Sequence, residues 1–164
     1  MPISTSRRRC AVQPMIALDT NILARFYVDD PGDSEALKQR PTAYEIITKL
    51  PNLFVPLTVI LELEWVLRAF YRFEAAAIIR VMEHLLGLAN LNVEEAGRVA
   101  AALELLGQNW DFADALHLVG SRHCEVLYTF DDRRFARRAQ RLGSSPKVMV
   151  PGAEPEFAKP GPFP

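Results

Sequence analysis

The sequence predicts an α/β fold, a three-layer α/β/α sandwich around a central parallel sheet. Three observations carry that expectation. Short apolar runs of strand length, MIALD (15–19), NLFVP (52–56), EVLYTF (125–130) and PKVMVP (146–151), alternate with stretches of helix length. Strands separated by helical crossovers pair in parallel, with helices on both faces. The chain has 164 residues, 49% of them hydrophobic, which is enough for one domain with a sizeable core.

Taken in order, MIALD is the first strand and TNILARFYV the helix after it. DDPGDS is a turn in which Asp33 or Ser34 caps the next helix, and Pro41 is expected to break or restart that helix. NLFVP is the second strand, and a helix follows from about Thr58 to Phe70. Helices fit residues 74–87 and 94–107, with a short strand at 91–93. Asp111 opens a helix running to about Arg122. EVLYTF is a strand, DDRRFARRAQRL a helix and PKVMVP a last short strand.

The division expected is a disordered extension over 1–14, a domain over 15–150 and an extended proline-rich tail over 151–164. The net charge of −1 gives no global attraction to nucleic acid, so such a partner needs a local basic patch or a bound cation. Two distant cysteines, Cys10 and Cys124, make neither a disulfide framework nor a zinc site by themselves. The most apolar run, LFVPLTVILELEWVLRAF, is interrupted by Pro56, Glu62, Glu64 and Arg68, so no membrane span is expected, and a reducing cytoplasm fits best.

In parallel sheets, sites form beyond the carboxyl ends of the strands. Asp19 stands there after the first strand, and Asp131 and Asp132 after EVLYTF. A helix cap is the ordinary explanation of each. Asp111 and Asp114, in DFADALHL, match a capping-box start, although Asp114 can instead turn toward the sheet end. Within the apolar helix from Thr58, Glu64 has Arg68 four residues on and is expected to form a solvated ion pair. Glu62 has no cation at helical spacing. It lies either on an exposed stripe or among apolar neighbours, where it needs a positive partner. If the first strand and EVLYTF are sheet neighbours, Asp19 and Asp131 meet, and Glu62 and Asp114 complete a ring of carboxylates. Such a ring resists joint ionisation, and its all-oxygen donors select Mg²⁺ or Mn²⁺ over zinc.

MIALDTNILARF, VPLTVILELEWVL, WDFADALHL and LYTFDDRRFAR, in that order over about residues 15–150, resemble the PIN-domain ribonucleases, and most of all the toxin subunits of VapBC-type toxin–antitoxin pairs. The resemblance implies an α/β/α sandwich and Mg²⁺- or Mn²⁺-dependent endonucleolytic cleavage of RNA. By motif, it implies Asp19, Glu62, Asp114 and Asp131 as catalytic acids. Asp19, Asp114 and Asp131 would hold the metal, and Asn21 would support Asp19. The stretch DDRRF is longer than the family's usual pattern, so Asp131 and Asp132 both stand for the fourth acid. A homodimer and a cognate antitoxin protein are implied as well.

Five arginines between Arg133 and Arg141 form either a solvated face or a grip on RNA phosphates, with Arg133, Arg134, Arg137 and Arg138 nearest the acids. Of the histidines, only His117, three residues after Asp114, falls near a proposed acid. Trp65 and Trp110 are expected in the core or an interface. Three rival readings remain. A haloacid-dehalogenase-type phosphatase needs Asp-x-Asp where this chain has Asp19-Thr20-Asn21. A non-catalytic acidic module would bind a basic partner without cleaving it. A flap-type DNA nuclease needs an arch for which the chain has little room.

Overall fold

A computed structural model describes residues 14–152 of the chain. The expected extension over 1–14 and tail over 151–164 therefore lie almost wholly outside the described residues. The chain divides into two compact units, the first ending at Ala96 and the second beginning at Gly97. Both are built from short parallel strands and helices, as an α/β fold requires.

In the first unit, strand β1 (Ile16–Ala17) leads into helix α1 (Thr20–Tyr27), and α2 (Ser34–Lys49) leads to β2 (Leu53–Val55). Helix α3 (Leu57–Trp65) runs on into a π-helical turn (Val66–Phe70), followed by α4 (Ala75–Leu86) and β3 (Leu91–Val93). The sheet has the order β1-β2-β3 and is parallel throughout, in the register Ile16↔Leu53 and Leu53↔Leu91. One further bond, from Leu18 N to Phe54 O at 2.8 Å, extends the β1 ladder and leaves Asp19 just beyond it. The central strand is the buried one, with Leu53 and Val55 fully enclosed. Leu23 of α1, Ile60 and Leu63 of α3, and Met82 and Leu85 of α4 are buried to the same degree. That pattern is what helices packed on a parallel sheet produce.

Two expectations about this unit fail for physical reasons. Helix α2 passes through Pro41 without a break. Proline removes one backbone donor, and because Pro41 is exposed the carbonyl left over meets water. Glu64 was expected in a solvated ion pair, and of the two positions left open for Glu62 the exposed stripe is the one it takes. Glu64 is the buried one, and it pairs with Arg68 at 2.8 Å, whereas Glu62 is exposed. The pair was legible in the spacing, but the buried charge belongs to it and not to Glu62. Trp65, adjacent to Glu64, is 57% exposed and is not part of the core.

The second unit holds all but the first residue of helix α5 (Ala96–Gly107), followed by α6 (Phe112–Gly120), and β4 (Val126–Tyr128) precedes a π-helical turn (Asp132–Ala136). Helix α7 (Arg137–Leu142) and β5 (Lys147–Met149) complete it. Strands β4 and β5 pair in parallel, Leu127 opposite Val148. The ladders among the described residues join β1 to β2 and β4 to β5. Phe112, Ala115, Phe135 and Ala136 are buried, and Trp110 meets Phe135 edge to face at 6.1 Å. Helix α7 stops at Gly143, whose φ of 61° suits a residue without a Cβ. No helix among the described residues is long and apolar enough to cross a membrane.

Truncating a side chain enclosed in the first unit removes contacts that the fold cannot recover. Leu85→Ala should lower the unfolding free energy by about 2–5 kcal/mol. Leu37→Ala, at a half-exposed site, should change it by less than about 0.5 kcal/mol. Urea titration of both variants checks the contrast.

Candidate active site

Among the described residues, four helices or helical turns begin at an aspartate, and the four aspartates do not behave alike. Asp33 accepts from the backbone N–H groups of Glu35 and Ala36 at 2.9 and 3.1 Å. Asp111 accepts from those of Ala113 and Asp114 at 3.0 and 3.2 Å, and Asp131 from that of Arg134 at 2.9 Å. Asp19 occupies the same position before α1, with extended backbone angles, yet its side chain makes no capping bond. The ordinary explanation of this acid therefore fails. Its backbone carbonyl takes the first helical bond, from Ile22 N at 3.2 Å, and its carboxylate stays exposed at the positive end of α1.

The next residue connects this strand end to α3. Thr20 is 5% exposed, and its hydroxyl donates to Glu62 Oε2 at 2.5 Å. That bond fixes one oxygen of an otherwise exposed carboxylate and leaves the other open. Composition and spacing gave no sign of it, because the partners lie 42 positions apart. Asn21 was expected to support Asp19. Instead it lines a cavity of about 430 Å³ with residues of α1 and α2, and no side-chain hydrogen bond among the described residues ties it to Asp19.

In the second unit, Asp111 is the cap that its capping-box pattern predicted. Asp114 is half-buried, and its carboxyl holds its proton above the ordinary aspartate range. Burial is the leading cause, followed by the negative charges of Asp111 and Asp131. The charges of His117 and Arg138 act in the opposite direction. Asp114 and Asp131 are thus electrostatic neighbours, and His117 lies close enough to matter. Asp132 is turned to other use, paired with Arg137 at 2.8 Å. Thr129 Oγ1 accepts from Asp131 N at 3.1 Å and sets the turn that carries this acid. A threonine two residues before an acid is the sequence sign of such a turn.

The arginine run also divides. Arg138 donates to Asn109 O at 2.7 Å and lies over the Trp110 ring at 5.4 Å, so it serves the fold. Arg137 is engaged by Asp132. Arg133 and Arg134 are exposed, and no side-chain bond or ion pair of theirs occurs among the described residues. Among the described residues, no three His, Cys, Asp or Glu side chains are gathered into a group that could hold a metal ion by themselves. The donors that each unit offers are nonetheless of the right kind. Asp19 is an uncapped carboxylate, and the negative charge of Asp131 beside Asp114 raises the proton affinity of Asp114, a repulsion that a hard cation relieves.

The PIN-domain family profile matches residues 16–141. The chain belongs to the PIN-domain family. PIN domains are generally metal-dependent nucleases, so a nuclease-type function is supported here, with RNA as the class of substrate consistent with it. The match spans both units and contains every acid named above. No curated protein and no solved structure matches this PIN domain.

Two measurements follow from this geometry. Asp111→Ala removes a cap and should cost about 0.5–2 kcal/mol, whereas Asp19→Asn, with no cap to lose, should leave the unfolding free energy nearly unchanged. For Asp114 the folded pKa lies above the unfolded value, so the folded state binds more protons between the two and stability falls as pH rises through that window. In metal-free buffer Asp114→Asn should therefore melt higher than the wild type at neutral pH. That advantage should disappear as pH falls to about 4, near the unfolded aspartate pKa. Melting curves recorded against pH check the sign.

Proposed function

We propose that this PIN domain is a Mg²⁺- or Mn²⁺-dependent endoribonuclease. Its catalytic carboxylates are Asp19, Glu62, Asp114 and Asp131, and Asp19, Asp114 and Asp131 hold the cation. The observation that carries this reading is the carboxylate of Asp19. It stands past the end of a parallel strand, in the place where such folds put their sites, and it lacks the capping bond that would explain it structurally. The family match supports the nuclease class, and the charges around Asp114 support a cation.

A bound divalent cation supplies neutralisation of the phosphodiester charge and a lower pKa for the attacking water. The remaining work falls to the chain. Glu62, with Oε2 held by Thr20, has its other oxygen open to orient a water and take its proton. Asp131 is favoured over Asp132 as the fourth acid, since Asp131 interacts with Asp114 whereas Asp132 is committed to Arg137. Asp111 acts through Asp114, whose backbone N–H it caps and whose charge it opposes. Arg133 and Arg134 are the cations left for substrate phosphates.

The same reading makes the chain the toxin of a type II toxin–antitoxin pair that acts as a cytoplasmic homodimer. Exposed Tyr44, Trp65 and Phe70, at 58%, 57% and 69%, are apolar surface that a second copy or an antitoxin would cover.

Purified protein incubated with structured RNA should cleave it in Mg²⁺ or Mn²⁺ and stop in EDTA. Asp19→Asn and Asp114→Asn should each lower the rate about 100-fold or more. Equal cleavage by the wild type and both variants would refute the assignment.

A further inference from the structure

We propose that Phe130 and Tyr128 form a stacking platform for an unpaired nucleotide of the RNA, with Arg133 and Arg134 gripping the phosphates beside it. The proposal rests on the nuclease reading above and deepens it by naming the side chains that seat the substrate.

Phe130 is 85% exposed, more than any other large hydrophobic side chain among the described residues, and Tyr128 is 55% exposed. Neither ring contacts another aromatic ring among the described residues. Phe130 directly precedes Asp131, so the platform adjoins a proposed catalytic acid. The exposure does not come from a slack loop. Thr129 N bonds to Met149 O at 3.0 Å and continues the β4–β5 ladder, and Phe130 O accepts from Asp132 N at 3.0 Å. Asp131 is held on both sides, by Thr129 Oγ1 at its N–H and by Arg134 N at its carboxylate. The backbone that carries Phe130 is thus fixed before any ligand arrives, which lowers the ordering cost of binding.

Charge identifies the occupant. Of the four arginines nearest the acids, Arg137 and Arg138 are committed, and the two without a side-chain partner among the described residues, Arg133 and Arg134, lie three and four residues after Phe130. An exposed aromatic beside unpaired cations fits a base with its phosphate. Stacking requires a base with a free face, which a duplex does not offer, so the substrate here is unpaired. An apolar protein partner would use the ring and leave the arginines without a role.

The test uses the full chain in EDTA, with a short labelled oligouridylate and a blunt RNA duplex as probes. The wild type should bind the oligouridylate more tightly than the duplex. Phe130→Ala should weaken oligouridylate binding about ten-fold with little change in salt dependence. Arg133→Ala with Arg134→Ala should weaken it and flatten the salt dependence. Phe130→Trp should retain affinity and show indole quenching on binding, a signature that a purely structural role would not produce. Unchanged oligouridylate affinity in Phe130→Ala, or equal binding of duplex and single strand by the wild type, overturns the platform. Loss of a protein–protein association alone in Phe130→Ala also overturns it, in favour of a protein partner. A parallel cleavage assay in Mn²⁺ separates the two levels: cleavage with an unaffected Phe130→Ala leaves the nuclease standing and removes the platform, and no cleavage by the wild type removes the nuclease reading itself.

Discussion

A helix-starting aspartate that does not cap its helix is the constraint on which the account of this protein depends. Caps are the ordinary role of such residues, and Asp33, Asp111 and Asp131 each fill it. Asp19 is placed like them at the start of α1, and its carboxylate is left open. An anion at the positive end of a helix is tolerated without a hydrogen bond, so the position costs the fold little and keeps two oxygens for another ligand.

Around that constraint, the rest of the architecture holds strand ends and helix starts in place. The β1-β2-β3 ladder fixes the point at which β1 stops, and Leu23 anchors α1 behind Asp19. Thr20, buried in the first turn of α1, gives Glu62 its orientation. In the second unit the same logic uses caps: Asp111 starts α6 and thereby sets Asp114, and Thr129 and Asp131 together shape the turn after β4. Hydrogen bonds that look merely structural are in this way the means of aiming carboxylates.

Much of this was legible in the sequence, and the remainder follows a pattern. Elements marked by local chemistry were read closely: the strand at Leu91–Val93, the Asp33 and Asp111 caps, and the alternation of strands with helices. Local signals failed where solvent or distant partners decided the outcome. Pro41 was tolerated because its helix face is wet. Burial chose Glu64 over Glu62, since an internal ion pair with Arg68 compensates a charge that Glu62 would have carried alone. The bond from Thr20 to Glu62 joins segments that no spacing rule connects. The fate of the arginines likewise depended on which carbonyls and acids lay within reach.

The most direct test of the central claim is a calorimetric titration of the full chain with Mn²⁺, run beside Asp19→Asn and Asp114→Asn. If the proposed assignment holds, the wild type takes up the cation and either substitution alone abolishes the heat of binding. Unaltered Mn²⁺ uptake by Asp19→Asn would contradict it, because the uncapped carboxylate would then have no part in holding the metal.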